Sequence, residues 1–255
     1  MKARVAICQY DIAWRDVDAN LARLDDMLAG VEADLVVLPE MFQTGWTVDA
    51  DDLAETMSGR SIDAMRRWAA RADAAVAGSI AVRDEAGVLR NRMLLVEPSG
   101  RVTGYDKRHL FAPGGEAALF STGDERVVVE WRGVRYMLLV CYDLRFPVWS
   151  RNRGDYDVAV YSALWPAARR RAWATLLAAR AIENQCYTIG VNRTGDEPTL
   201  SYAGDSRVVD FRGDVMIDAA SAEGVFTTTI DTGATEAFKR KFPAWSDADL
   251  FEITK

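Results

Sequence analysis

The sequence predicts an α/β fold in which sheets are covered by helices. Three observations carry that prediction. Strand-like and helix-like segments interleave along the whole 255 residues, the mark of layered α/β architecture. Several strand candidates are short, wholly apolar runs, as in strands buried on both faces. No Pro- or Gly-rich linker interrupts the pattern, so one domain spanning 1–255 is expected.

The elements follow in order. Arg4 to Tyr10 alternates apolar and polar residues and predicts a strand. Residues 16–31 place Val17, Leu21, Leu24, Leu28 and Val31 at helical spacing, with Asp16 as N-cap. Asp34 to Leu38 is a buried central strand ended by Pro39 and Glu40. A second helix runs from Ser61 to Asp73, with Ile62, Met65, Trp68, Ala69 and Ala72 on one face. Strands follow near 75–83, 88–97 and 101–106, separated by the turns Asp84 to Gly87 and Pro98 to Gly100. Strands near 126–131 and 134–140 flank a hairpin turn at Arg132-Gly133, and Asp157 to Ala163 is another buried strand. Ala168 to Asn184 predicts a long helix facing inward through Trp173, Leu176, Leu177 and Ala181. Residues 186–192 form a strand, and 205–230 hold further strands around Arg212-Gly213. The order strand, sharp loop, strand, helix occurs in both halves, which points to a two-sheet sandwich.

Composition excludes several chemistries. The chain has one histidine, His109, so a paired-His zinc site is out. Its cysteines, Cys8, Cys141 and Cys186, are too widely spaced for a CxxC pair, and an odd, scattered set suits free thiols in a reducing compartment such as the cytoplasm. The formal net charge of −7 disfavours a nucleic-acid partner. Arg169 to Arg171, the densest basic run, reads as a solvated helix face. No apolar run is long enough to span a membrane. No Gly-rich phosphate loop is present, and neither a metal nor an organic cofactor is implied.

Functional side chains of α/β proteins gather just beyond the C-terminal ends of buried strands. Glu40 follows Leu35 to Leu38, Lys107 follows the strand at Val102 to Tyr105, and Cys141 follows Tyr136 to Val140. Taken singly, each has an ordinary explanation as a core thiol, a turn carboxylate or a solvated charge. Together they suffice for covalent hydrolysis. A thiol attacks once a carboxylate has taken its proton, and an ammonium holds the developing oxyanion.

Three blocks around these residues resemble the nitrilase superfamily of carbon–nitrogen hydrolases. They are Leu38-Pro-Glu-Met-Phe42, Tyr105-Asp-Lys-Arg-His-Leu-Phe111 and Leu139-Val-Cys-Tyr-Asp-Leu-Arg-Phe-Pro147. The resemblance extends over residues 4 to 230 and implies that family's four-layer αββα sandwich, generally as a homodimer. It implies Glu40 as general base, Cys141 as nucleophile and Lys107 as oxyanion stabiliser, with the backbone N–H of Tyr142 beside it. Glu116, in Pro113-Gly-Gly-Glu116, matches a second glutamate that positions the lysine or the attacking water.

Cys141-Tyr-Asp, Leu164-Trp-Pro166, Arg169, Ala172-Trp173, Ala179 to Gln185, Asn192-Arg-Thr-Gly195, Tyr202 and Ser206 are similar to the omega-amidase branch, which releases ammonia from 2-oxoglutaramate. Ala163 departs from that branch, where Asn is common. A monoamide of this class carries a distal carboxylate, which an arginine fork suits. Arg145 is the candidate, with Phe42 and Trp165 as walls for the carbon chain. Two competing readings are a hydrolase of another small amide, such as deaminated glutathione, and a catalytically silent binding or assembly module.

Overall fold

In the computed structural model, which describes residues 1–47 and 52–254, two six-stranded sheets lie face to face. In chain order the elements are β1 (Lys2–Gln9), α1 (Val17–Met27), β2 (Leu35–Val37), α2 (Arg60–Ala72), β3 (Ala75–Arg83), β4 (Leu89–Val96), β5 (Val102–Asp106), α3 (Glu116–Leu119), β6 (Val128–Trp131), β7 (Val134–Val140), β8 (Val158–Ser162), α4 (Arg170–Asn184), β9 (Tyr187–Val191), β10 (Thr194–Asp196), β11 (Ser201–Ala203), β12 (Arg207–Val209), β13 (Val215–Asp218), β14 (Gly224–Asp231) and α5 (Thr232–Lys241).

The first sheet has the order β14-β1-β2-β3-β4-β5 and the second β13-β12-β9-β8-β7-β6, with β10 and β11 as a separate hairpin. The two sheets share one plan. Each has three parallel central strands (β1, β2, β3 and β7, β8, β9), an antiparallel pair beyond the third, and one antiparallel strand outside the first. This is the sandwich that the repeated strand and helix order predicts.

Side-chain alternation builds the layers. Val5 and Ile7 of β1, Leu35 and Val37 of β2, and Met93 and Leu95 of β4 join the core shared with the second sheet. The residues between them, Ala6, Cys8, Val36 and Leu94, pack under α1 and α2 with Leu24, Ile62, Met65 and Trp68. On the far side, Trp173, Leu177 and Ala181 of α4 close the second sheet. Helix, sheet, sheet and helix therefore form the four layers expected.

Local differences have local causes. The predicted helix over 16–31 ends at Met27; Asp16 does cap it, accepting from the Ala19 N–H at 3.0 Å, and Leu28 is the buried C-cap, followed by Gly30 at φ 72°. Helix α5 lies beyond the last predicted strand, with Asp231 as N-cap and Phe238 packed on Phe211. The β10–β11 hairpin lies outside the predicted strands, because Thr194–Asp196 and Ser201–Ala203 are three residues each and, unlike the equally short β2, carry no apolar run. Among the described residues no helix is long and apolar enough to cross a membrane.

Candidate active site

The C-terminal ends of the two sheets are tied together at one point. The Ser162 hydroxyl, at the end of β8, donates to the Leu38 carbonyl at 2.5 Å, and the Glu40 N–H donates to the Ala163 carbonyl at 3.3 Å. Glu40 is thereby delivered across the seam, fully buried. Its Oε1 accepts from Lys107 Nζ and from Asn91 Nδ2, both at 2.8 Å. Its Oε2 accepts from the Leu164 N–H at 2.8 Å. Three donors fix the carboxylate and leave capacity on Oε2 for one more proton.

Lys107 is also buried. Besides Glu40 it bonds both oxygens of Glu116, at 3.0 and 2.9 Å. Burial works to lower its pKa, but Glu116 and then Glu40 outweigh that and hold it above its ordinary value. Glu116 follows Gly115, whose φ of 83° suits glycine, and its Oε2 also accepts the Phe111 N–H at 2.5 Å. Burial, reinforced by Glu40, raises the Glu116 pKa, and Lys107 opposes the rise.

Cys141 sits where β7 runs into a 3₁₀ turn over Cys141–Arg145, with φ at 42°. A left-handed non-glycine residue is uncommon and persists only where its surroundings impose it. Here Asp143 does so. Its carboxylate accepts from the Val140 N–H at 3.0 Å, the His109 N–H at 3.0 Å and the Tyr105 hydroxyl at 2.8 Å, and meets His109 Nδ1 at 2.8 Å. His109 stacks flat on Phe146, with ring centroids 3.9 Å apart. The single histidine is thus scaffolding for the Cys141 turn.

The Cys141 side chain contacts the Leu164 carbonyl at 3.6 Å. Burial pushes its thiol well above the usual range, Glu40 adds to the effect and Lys107 opposes it. The resting thiol is therefore neutral, and a base is needed to release the nucleophile. Cys141 keeps 9% of its surface exposed, whereas Cys8 and Cys186 have none; all three are free thiols.

Cys141 and Lys107 form part of the lining of a cavity of about 610 Å³, which also holds Tyr142, Arg145 and Trp165. Arg145 lies over the Trp165 ring at 4.8 Å, and Arg169 over the Phe111 ring at 5.1 Å. Among the described residues neither guanidinium makes an ion pair or side-chain hydrogen bond. Phe42 is placed elsewhere. It is fully buried on the helix side of the first sheet, edge-on to Trp68 at 6.1 Å, and is absent from the cavity wall. The turn after Glu40, with Met41 at φ 42°, sends its side chain back under α2.

The run Arg169 to Arg171 also differs from the expected solvated face. Arg169 lines the cavity, Arg170 forms a two-bond pair with Asp205 at 2.9 and 2.7 Å, and only Arg171 is exposed without such a role.

Several site residues escaped sequence reasoning. Asn91 bridges Glu40 and Glu116; the signal for it is an amide in phase with the inward Met93 and Leu95 on β4. Glu197, on the loop between β10 and β11, is half-buried with its side chain only 3% exposed, and it accepts from the Trp46 N–H, Arg193 and the Tyr202 hydroxyl at 2.8, 2.7 and 2.8 Å. It pins one wall of the cavity to the Trp46 segment, a pairing no sequence spacing announces.

A buried thiol, carboxylate and ammonium at the mouth of paired parallel sheets define a carbon–nitrogen hydrolase. The carbon-nitrogen hydrolase family model matches residues 4–240, and the chain belongs to that family. It is 45% identical over 253 residues to the omega-amidase YafV of Yersinia enterocolitica, covering 97% of each chain. It is 34% identical over 255 residues to the 2-oxoglutaramate amidase of Bacillus subtilis, covering 97% of this chain and 98% of that one. The crystal structure of a CN-hydrolase superfamily protein from Xanthomonas campestris, with an arsenic adduct in its active site, superposes with a TM-score of 0.97 at 42% identity, over 100% of both chains.

Proposed function

We propose that this protein is an omega-amidase, converting 2-oxoglutaramate or 2-oxosuccinamate to the 2-oxo dicarboxylate and ammonia. The observation that carries the reading is the pairing of two features in one cavity: the Cys141 and Lys107 site on one side, and the unpaired guanidiniums of Arg145 and Arg169 on the other. A short amide with an anionic far end suits both.

Each residue has a part. Glu40 Oε2 takes the thiol proton as Cys141 Sγ attacks the amide carbon. One Lys107 N–H serves Glu40, and a second can be shared by the two Glu116 oxygens. The third then meets the developing oxyanion, together with the Tyr142 N–H. Glu40 returns the proton to the departing nitrogen, ammonia leaves and a thioester remains. Glu40 next takes a proton from water, which attacks the thioester; the tetrahedral intermediate collapses, the thiol is re-protonated and the acid leaves. Glu116 acts as the lysine's anchor, and Trp165 walls the carbon chain with Arg145 stacked on it.

We infer further that residues 1–255 form one hydrolase domain working in the cytoplasm as a homodimer. Its three unpaired thiols suit a reducing compartment, and exposed Ile182 of α4 and Val215 and Met216 of β13 supply apolar surface for a second copy. Light scattering of the purified protein tests the dimer.

The deciding experiment is ammonia release from a panel of 2-oxoglutaramate, succinamate, deaminated glutathione, a simple aliphatic amide and a nitrile. The expected result is the highest kcat/KM on 2-oxoglutaramate, abolished by Cys141→Ala. Full activity in that variant, or a preference for the neutral amide, overturns the reading.

A further inference from the structure

We propose that Asn91 is a positioning residue that keeps both buried glutamates ionised beside a single ammonium, so that Glu40 is ready as a base at neutral pH. The inference rests on the hydrolase reading above, but its evidence is separate.

The charges around Lys107 do not balance. Two fully buried carboxylates, Glu40 and Glu116, face one cation, Lys107. The other groups turned toward them, the Cys141 thiol from the end of β7 and the more distant Tyr202 phenol from β11, are acids that add no positive charge. In a dry site such an arrangement favours placing a proton on one carboxylate. Asn91, itself fully buried on β4, opposes this. Its Nδ2 donates to Glu40 Oε1 and to Glu116 Oε1, each at 2.8 Å, so both amide hydrogens are spent on carboxylates.

The orientation of the amide is forced. Swapping its ends would turn the carbonyl oxygen toward two carboxylates. In the orientation adopted, that oxygen is buried with no partner. Burying an unmet acceptor is costly, and the arrangement persists because the N–H pair is held by two anions. The Asn91 carbonyl on the main chain also accepts the Lys107 N–H at 2.9 Å, so one residue sets the register of the lysine and the spacing of both acids.

The test is the pH profile of kcat and kcat/KM on 2-oxoglutaramate for wild type, Asn91→Leu and Asn91→Ala, with folding checked by near-UV circular dichroism. Without the two donors, protonation of the carboxylate pair sets in at higher pH. The acid limb of both variants should move up by about one pH unit or more, with about a tenfold loss of kcat where that limb applies and little change in KM. Asn91→Ala removes both donors without adding a charge and carries the decision if the leucine variant does not fold. A uniform loss of rate with an unmoved acid limb overturns the inference, as does failure of both variants to fold. If the wild type releases no ammonia, the functional reading fails instead. Asn91 is then judged on the infrared band of the protonated carboxyl pair, which should appear at higher pH in both variants than in the wild type.

Discussion

Replacing Arg169 with leucine should separate recognition of charge from chemistry. The guanidinium is stacked on Phe111 and has no acidic partner among the described residues, so removing it orphans no protein group. Any loss then comes from the substrate. A charge-assisted bond to a carboxylate contributes about 1.5–3 kcal/mol, which at 1.36 kcal/mol per decade corresponds to roughly a 10- to 150-fold fall in kcat/KM on 2-oxoglutaramate. Arg145→Leu should fall in the same range, because Arg145 is likewise held only by a ring, that of Trp165. Arg169→Lys, which keeps the charge without the fork, should lose less. The assay compares each variant on 2-oxoglutaramate and on an uncharged amide of similar length. The loss should fall on the charged substrate alone and appear mainly in KM. An equal loss on both substrates would refute the assignment, since it would mean that the arginines merely shape the wall.

Three other outcomes are expected. Glu116→Gln should lower kcat on the order of 100-fold with little change in KM, because it frees the ammonium that Glu116 anchors with two bonds; steady-state kinetics on folded protein decides it. Asp143→Ala should cost about 3–5 kcal/mol, since it strands the Val140 and His109 N–H groups in the interior, and lower Tm by roughly 10 °C in calorimetry. Iodoacetamide should label native protein once, at Cys141, because Cys8 and Cys186 are fully buried and burial pushes both thiols up to about 12. Burial also raises the Cys141 thiol, so the thiolate fraction grows with pH and labelling should still be accelerating at pH 9. A plateau near neutrality would show a preformed thiolate.

The strands and helices were legible where periodicity had room to repeat. In β1, Ala3, Val5 and Ile7 enter one core and Ala6 and Cys8 the other, and α2 shows its face through Ile62, Met65 and Trp68. The three-residue strands β10 and β11 offer no period to detect. Glu40, Lys107 and Cys141 were legible because each is a polar residue closing an apolar strand. Arg169 is harder to place from sequence, since its neighbours Arg170 and Arg171 suggest a solvated run, while the 3₁₀ turn over Ala167–Arg169 rotates it toward the cavity. Phe42 was misplaced for a similar reason. Its distance from Glu40 in sequence is short, but the backbone reverses at Met41. Asn91 reaches Glu40 and Glu116, and Glu197 reaches Trp46, across long sequence separations, and only the folded chain brings these partners together.

The tie between Ser162 and Leu38 has a consequence for how the molecule becomes active. The carboxylates and the ammonium come from the half of the chain before α3 ends, whereas the thiol and the Leu164 N–H come from the half after it. The first sheet is itself completed only by β14, which pairs with β1 near the opposite end of the chain. Neither half owns a working set of groups, and the last strand made is structurally required by the first. Turnover in this protein is therefore a reporter of finished assembly: during refolding, ammonia release should lag behind the gain of helix signal, and an emerging chain should stay inert until β14 docks.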